Sequence, residues 1–318
     1  MANFTVNTGV TDAAAKTVGN NDIGTIQGTL SDTTDITWTG GSASPGVTIN
    51  NSGSISATTR GIDTSGSFST GSFTLNNNAG AKLISQNNDA FRINTNITNG
   101  TITVNNSGLL VAGAADALGH VIAHASGQAL DFAAIVSPNA VINITNNTGA
   151  TIGASGDDAI RPGAGHITIT NDGLIDATAS ANRAINLNTT NLTNISSFQL
   201  TNNSHGTIQS QGDAVRITAT TLATTATGTF AIDNAAPSSR PASAPTMARR
   251  SISTISYLRS AMSPSRIRRP ASSRRPTQTR SDRARTRRST ITARSSATMA
   301  HRPRPAMTPS TSNPTPAV

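Results

Sequence analysis

A single short phrase recurs through the first three quarters of this chain: an apolar–x–apolar pair, an Asn-rich turn, a Gly and another aliphatic residue. It reads Val47-Thr48-Ile49-Asn50-Asn51-Ser52-Gly53-Ser54-Ile55, then Phe73-Thr74-Leu75-Asn76 to Gly80 and Leu83, then Ile102-Thr103-Val104-Asn105-Asn106-Ser107-Gly108. It returns at Ile142-Asn143-Ile144, Ile167-Thr168-Ile169 and Phe198-Gln199-Leu200, and a seventh copy begins at Phe230-Ala231-Ile232-Asp233-Asn234. Successive starts lie 26, 29, 40, 25, 31 and 32 residues apart. Repetition at this period means one supersecondary unit stacked on copies of itself.

A second beat follows each Gly by about a dozen residues, a span legible in the repeat itself. It takes the form Asp-Ala-apolar-Arg in Asp89-Ala90-Phe91-Arg92-Ile93, Asp158-Ala159-Ile160-Arg161 and Asp213-Ala214-Val215-Arg216-Ile217. Looser versions are Arg60-Gly61-Ile62-Asp63, Ala129-Leu130-Asp131-Phe132 and Ala184-Ile185-Asn186-Leu187. Both beats alternate apolar and polar residues, the period of a strand with one buried face. Neither is long enough for a helix, so each repeat supplies at least two short strands.

A unit of this size suits one coil of a parallel β-helix, each coil about 4.8 Å above the last. Equivalent Ile, Val, Leu and Phe residues then form interior columns. Recurring Asn residues sit at a corner, where left-handed backbone angles are tolerated and amides can bond from coil to coil. An antiparallel sandwich of hairpins does not need the same phrase in every unit. The expected test is that Ile49, Leu75, Val104, Ile144, Ile169 and Leu200 share one interior file. Composition agrees: aromatics are 3% and charged residues 12% of the chain, and Glu is absent. A solenoid needs only a thin apolar column per coil.

The chain divides into unlike parts near Asn234. Residues 1–234 hold all 26 Gly and carry 14 Asp against 7 Lys and Arg, a net of −7. Residues 235–318 have no Gly, one Asp, 17 Arg and 11 of the 14 Pro, a net of +16. We read residues 1–46 as a leading coil with a capping role, its first strands expected at Ile23 to Leu30 and Ile36 to Trp38. Residues 47–234 are the β-helix repeats, and residues 235–318 a disordered Arg/Ser/Pro-rich tail. Such tails contact nucleic acid or acidic surfaces, here through Arg268-Arg269, Arg274-Arg275 and Arg283 to Arg288. Out-of-frame translation explains the tail better, because the switch falls in mid-repeat where the next Gly turn is due. The codons GCG-ATG-ACG-CCA-TCC encode Ala306-Met307-Thr308-Pro309-Ser310. Read one nucleotide earlier they give Gly-Asp-Asp-Ala-Ile, the string at Gly156 to Ile160. No nucleic-acid binding is expected of the β-helix itself.

The N-terminus shows no basic region followed by an apolar run of signal-peptide length, and no stretch of 18 apolar residues occurs. Cysteine is absent, which excludes disulfides and Cys-ligated zinc. With its Asn-Gly turns, Asp-Ala-Ile-Arg beats and Thr/Ser/Asn/Gly bias, the region of residues 20–234 resembles a bacterial autotransporter passenger. The phrase Ile36-Thr37-Trp38-Thr39-Gly40-Gly41, running to Val47 and Gly53, is of that kind. The resemblance implies a right-handed parallel β-helix displayed on the outer membrane or cell surface, or secreted. It also implies a C-terminal translocator barrel, which this sequence does not show, so membrane association is expected only through that missing part. A truncated or frame-disrupted gene accounts for this. Passengers include adhesins, proteases and esterases.

The recurring Asp89, Asp158 and Asp213 are expected to share one face, as are Arg92, Arg161 and Arg216. They are the candidate binding residues, in a ladder or a groove that takes a surface ligand or glycan. Parallel β-helix lyases and hydrolases use Asp clusters with a basic residue, and paired carboxylates hydrolyse glycosidic bonds. A ladder that pairs Asp with Arg between coils is the alternative. Recurrence favours the ladder, because active sites are built once, and no catalytic residue or cofactor is assigned. His120 and His124 stand four apart, but the Glu of an H-E-x-x-H site is absent and no metal is expected. They fall in the longest insertion, Leu109 to Pro138, where Ala114, Leu118, Val121, Ile122 and Ala125 follow helical spacing. The spacing predicts a short helix packed on the solenoid, and its protrusion makes it a candidate contact surface.

Overall fold

The computed structural model describes residues 3–38, 46–65, 69–115, 121–123, 127–179, 181–187, 194–217 and 229–235. Contacts separate the chain into Met1–Ser263 and Pro264–Val318, and every described residue belongs to the first unit. The tail from residue 236 onward, with its proposed nucleic-acid contacts, lies outside the described residues.

The described chain is all-β and winds as a parallel β-helix with three strands per coil. The first coil contains β1 (Phe4–Val6), β2 (Thr11–Asp12) and β3 (Lys16–Val18); the second β4 (Ile23–Ile26), β5 (Thr29–Leu30) and β6 (Thr34–Trp38). The third has β7 (Gly46–Asn51), β8 (Ser54–Ala57) and β9 (Arg60–Thr64); the fourth β10 (Ser72–Asn77), β11 (Lys82–Ser85) and β12 (Phe91–Ile93). The fifth has β13 (Thr101–Asn106) and β14 (Leu109–Ala112), then a hairpin of β15 (Ala114–Ala115) and β16 (Val121–Ala123), then β17 (Leu130–Asp131). The sixth has β18 (Val141–Asn146), β19 (Thr151–Ala154) and β20 (Ile160–Arg161); the seventh β21 (Gly165–Asn171), β22 (Leu174–Ala177) and β23 (Ile185–Asn186). The eighth has β24 (Ile195–Asn202), β25 (Thr207–Ser210) and β26 (Val215–Arg216), and β27 (Phe230–Asn234) opens a ninth.

The three parallel sheets have the orders β1-β4-β7-β10-β13-β18-β21-β24-β27, β2-β5-β8-β11-β14-β19-β22-β25 and β3-β6-β9-β12-β17-β20-β23-β26. In the first sheet Ile49, Leu75, Val104, Ile144, Ile169 and Leu200 pair in unbroken succession and are 0–1% exposed. The expected interior file is therefore present. A second file runs through Leu30, Ile55, Leu83, Leu110, Ile152 and Ile175, and a third through Ile36, Ile62, Phe91, Leu130, Ile160 and Ile185. Each Ile or Leu so buried contributes on the order of 1.5–3 kcal/mol. Trp38, Phe73, Phe91 and Phe132 touch in sequence inside the coils, with ring centroids 6.1, 5.2 and 5.1 Å apart.

Strands begin earlier than expected: β1 and β3 already stack beneath β4 and β6. Gly24 makes room for this. A Cβ there would lie 2.6 Å from the Phe4 ring and 2.9 Å from Ile49 Cδ1. The predicted helix in the insertion is not formed. Gly113 takes φ 124°, and Ala114 and Ala115 pair antiparallel with Ala123 and Val121. The left-handed turn at Gly113 sends the chain back on itself, which a helix start forbids. Leu118, His120, His124 and Ala125 lie outside the described residues.

Candidate functional site

Two polar systems run the length of the coils, and each is built from one repeated residue type.

At the corner between the first and second sheets stand Asn51, Asn77, Asn106, Asn146, Asn171, Asn202 and Asn234, adjacent in register. The Nδ2 of each donates to the Oδ1 of the next at 2.8, 2.7, 2.8, 2.8, 2.7 and 2.8 Å. Nδ2 also reaches a main-chain carbonyl one coil on: Asn106 donates to Thr151 O at 2.9 Å and Asn146 to Leu174 O at 3.1 Å. The Oδ1 of Asn106 additionally accepts from Gly108 N at 3.3 Å. Asn51 to Asn171 are wholly buried, so these amides hold their corner without water. Turn chemistry completes the corner. In the two-residue turn, Gly108 passes so close to the coil below that a Cβ would sit 2.2 Å from Ala81 O. In the longer turn, Gly149 adopts φ +77° in open space.

The second system lies along the third sheet. Arg60, Asp89, Gln128, Asp158, Arg183 and Asp213 stand at the strand entrances, joined by main-chain bonds such as Ala90 N to Gln128 O and Ala159 N to Arg183 O. Beside them Asp63, Arg92, Asp131 and Arg161 pair in register, and Asn186 pairs with Arg216. Asp89, Asp158 and Asp213 thus share one column and Arg92, Arg161 and Arg216 another, but like charges are not neighbours. Gln128 and Arg183 separate the aspartates, and Asp131 and Asn186 separate the arginines.

The contacts run both within and between coils. Arg92 Nε lies 3.1 Å from Asp63 Oδ1 and 3.9 Å from Asp89 Oδ2. Arg60 Nε lies 3.4 Å from Asp89 Oδ2. Arg161 bridges Asp158 Oδ2 at 2.9 Å and Asp157 Oδ1 at 2.7 Å. Each buried Asp also braces the coil above: Asp89 Oδ1 accepts from Gln128 N, and Asp158 Oδ1 from Arg183 N, both at 3.0 Å. Asp158 Oδ2 takes a further bond from Asn186 Nδ2 at 2.6 Å. Both oxygens of Asp158 are therefore engaged, and its side chain is fully buried. Asp213 is different, half-exposed and 4.0 Å from Arg216 Nε.

Electrostatics follow this packing. Burial raises the carboxyl pKa of Asp131, helped by the charge of Asp89 and opposed by the Ala133 N–H, Arg161 and Arg92. Burial also raises Asp157, against the pull of Arg161. Burial works against the charge of Arg161, yet its hydrogen bond to Asp158 and the charges of Asp157, Asp158 and Asp131 leave its pKa raised. Away from this face, Asp35 of β6 points into the solenoid at the position that Gly61 and Ala90 occupy in later coils. Its Oδ1 accepts from Asp32 N, while Oδ2 has no partner among the described residues. Burial pushes this carboxyl up to about 7, and the nearby Asp32 charge adds to the shift.

The repeat phrases had already marked Asp63, Asp131 and Asn186 as variants of the second beat. The parts taken by Gln128, Arg183 and Asp157 emerge only from the register. Among the described residues no group of three His, Asp, Glu or Cys side chains could hold a metal ion. A furrow of about 370 Å³ follows the Gly corner past Gly28, Gly53 and Gly80, with Lys82 as its charged member. Among the described residues no helix is long and apolar enough to cross a membrane, which says nothing of β-barrels. No protein-family model, curated protein or solved structure matches the chain.

Proposed function

We propose that this chain is a fragment of an autotransporter-type passenger, a surface-displayed solenoid that is adhesin-like or structural and has no catalytic activity. The observation that carries the reading is the renewal of the same polar contacts from coil to coil. Asn-to-Asn and Asp-to-Arg bonds recur along the axis, as a scaffold requires, whereas a catalytic centre is assembled once. The engagement of Asp158 supports this: a carboxylate with both oxygens committed to Arg161, Arg183 and Asn186 is a brace rather than a free base. A right-handed winding belongs to the proposal, because connections between parallel strands of one sheet are right-handed in about 98% of cases. The exposed Thr and Asn edges and the insertion after β14 are the surfaces offered to a glycan or another cell-surface ligand. Loops projecting from a solenoid carry binding more often than its walls do.

The decisive experiment compares polysaccharide turnover with binding. The chain is incubated with polygalacturonate and a panel of related glycans, alongside Asp158→Ala. Retention on glycan or cell surfaces without turnover is the expected result. Specific turnover abolished by Asp158→Ala would establish a carbohydrate-active β-helix enzyme instead. Fusion to a translocator barrel provides the second arm: display of residues 1–234 at the cell surface is expected, and failure to reach it while folded would remove the passenger assignment.

A further inference from the structure

The end of the solenoid at β27 is an unfinished edge. The first sheet has nine strands where the second and third have eight each, so β27 opens a coil that the described residues do not close. Phe230 and Ile232 are only partly buried, although the residues they pair with, Phe198 and Leu200, are 0% and 1% exposed. Asn234 Oδ1 accepts from Asn202, but its own Nδ2, which at every earlier rung donates onward, has no acceptor among the described residues.

The chemistry that would satisfy this edge is specific. It is a parallel strand with an apolar–x–apolar pair followed two residues later by Asn, then a Gly turn. A second copy of this chain does not supply it through its first strand. In the register β1-β4-β7 the residues at the Asn rung are Val6 and Ile26, neither of which has a side-chain acceptor. Residues 235–318 as translated do not supply it either. They contain no Gly and one Asn, Asn313, which is followed by Pro314.

We infer that the open edge of β27 is the seat of a further coil of the same repeat, encoded by the codons of residues 235–318 read one nucleotide earlier. In that frame each codon takes its last two bases from the first two bases of the present codon. Some outcomes are then forced whatever synonymous codons are used. Met247-Ala248 and Met299-Ala300 must each give Gly in place of Ala, since ATG-GC yields GGC. Met307-Thr308 must give Asp in place of Thr, since ATG-AC yields GAC. Elsewhere Thr and Ile become Asn, Asp, His or Tyr, and TCN-coded Ser becomes Ile, Val, Leu or Phe. Pro becomes Ala, Thr, Ser or Pro. The basic tail thereby takes on the composition of the repeats.

Two segments reproduce the required strand. Ser251-Ile252-Ser253-Thr254-Ile255 is able to encode apolar–x–apolar–x–Asn, the pattern of Ile142 to Asn146. Ser289-Thr290-Ile291-Thr292-Ala293-Arg294-Ser295 is able to encode apolar–x–Asn–x–Gly–x–apolar, the pattern of Ile169 to Ile175. Position 251 lies 21 residues after Phe230, close to the 20 residues that separate Thr5 from its partner Thr25 in the first coil.

The test has a gene arm and a protein arm. The nucleotides of codons 235–318 are read in the earlier frame. Asn at the 255 and 291 positions with no intervening stop is expected, and a stop or other residues at both positions overturns the inference. The full chain and its frame-restored counterpart are then compared by hydrogen exchange. Amides of Phe230–Asn234 are expected to exchange at least about tenfold more slowly in the restored chain, approaching those of β24. Equal exchange in both chains overturns the assignment of the edge even if the codons agree. Neither arm depends on whether the solenoid is displayed at a surface.

Discussion

Replacing Asn106 by Ala isolates the value of one rung of the amide file. The substitution removes donors from Asn146 Oδ1 at 2.8 Å and Thr151 O at 2.9 Å, and an acceptor from Gly108 N at 3.3 Å. These groups surround a side chain that is 0% exposed. An orphaned buried polar group costs roughly 1–3 kcal/mol, so three of them give a destabilisation of about 3–6 kcal/mol. The neighbouring Asn105 provides the control. It makes the same kind of bond, Nδ2 to Asn76 Oδ1 at 2.9 Å, but on the outward face where water replaces it. Asn105→Ala should cost under about 1 kcal/mol. Urea denaturation of both variants measures the difference. Hydrogen exchange across β10, β13 and β18 localises it, because stacked repeats lose strict two-state behaviour. Values within about 1 kcal/mol of each other would refute the view that buried amides, rather than amide bonding in general, secure the corner.

Three further outcomes follow from the same coordinates. Asp35 is protonated in the folded chain up to about pH 7 and ionised in the unfolded chain above its ordinary value near 4. Its contribution is therefore complete below about pH 4 and falls as pH rises to about 7, by as much as ~4 kcal/mol. Asp35→Asn should flatten that slope in urea titrations over the range, and an unchanged slope would exclude Asp35 as its source. Asp158→Ala should cost about 3–5 kcal/mol, because it strands Arg161 and the Arg183 N–H. Asp213→Ala, at a half-exposed pair 4.0 Å long, should shift the melting midpoint little; equal shifts would count against the bracing role. Gly108→Ala should destabilise more than Gly149→Ala in thermal melts. The first meets a main-chain oxygen at 2.2 Å, while the second meets only the roughly 1–2 kcal/mol penalty of left-handed backbone.

Much of the solenoid could be read from the chain because its determinants are local and repeated. The apolar–x–apolar pairs located the file through Ile49 and Leu200, and the Asn after each pair located the corner ladder. The opening coil was harder to see. Phe4 and Val6 stack on Gly24 and Ile26, where Gly interrupts the apolar pattern and Ile takes the place of Asn. The hairpin at Ala114 to Ala123 was missed for another reason. Spacing of small and aliphatic residues favoured a helix, but backbone geometry at Gly113 decided the outcome. The charged face was legible in content and not in order. Asp89 and Arg92 repeat at Asp158 and Arg161, yet a coil with Gln128 and Asp131 lies between them. Strand alternation gives the face on which a side chain emerges, and only coil-to-coil register gives its neighbour.

The Asn file has an arrow. Every amide from Asn51 to Asn202 hands its hydrogen in the same sense, so the partial charges of six dipoles add along the axis as they do in a helix. One extremity offers bare N–H and the other a bare carbonyl oxygen. Two molecules meeting by their Asn234 extremities would set donor against donor, so lengthening can proceed only nose to tail.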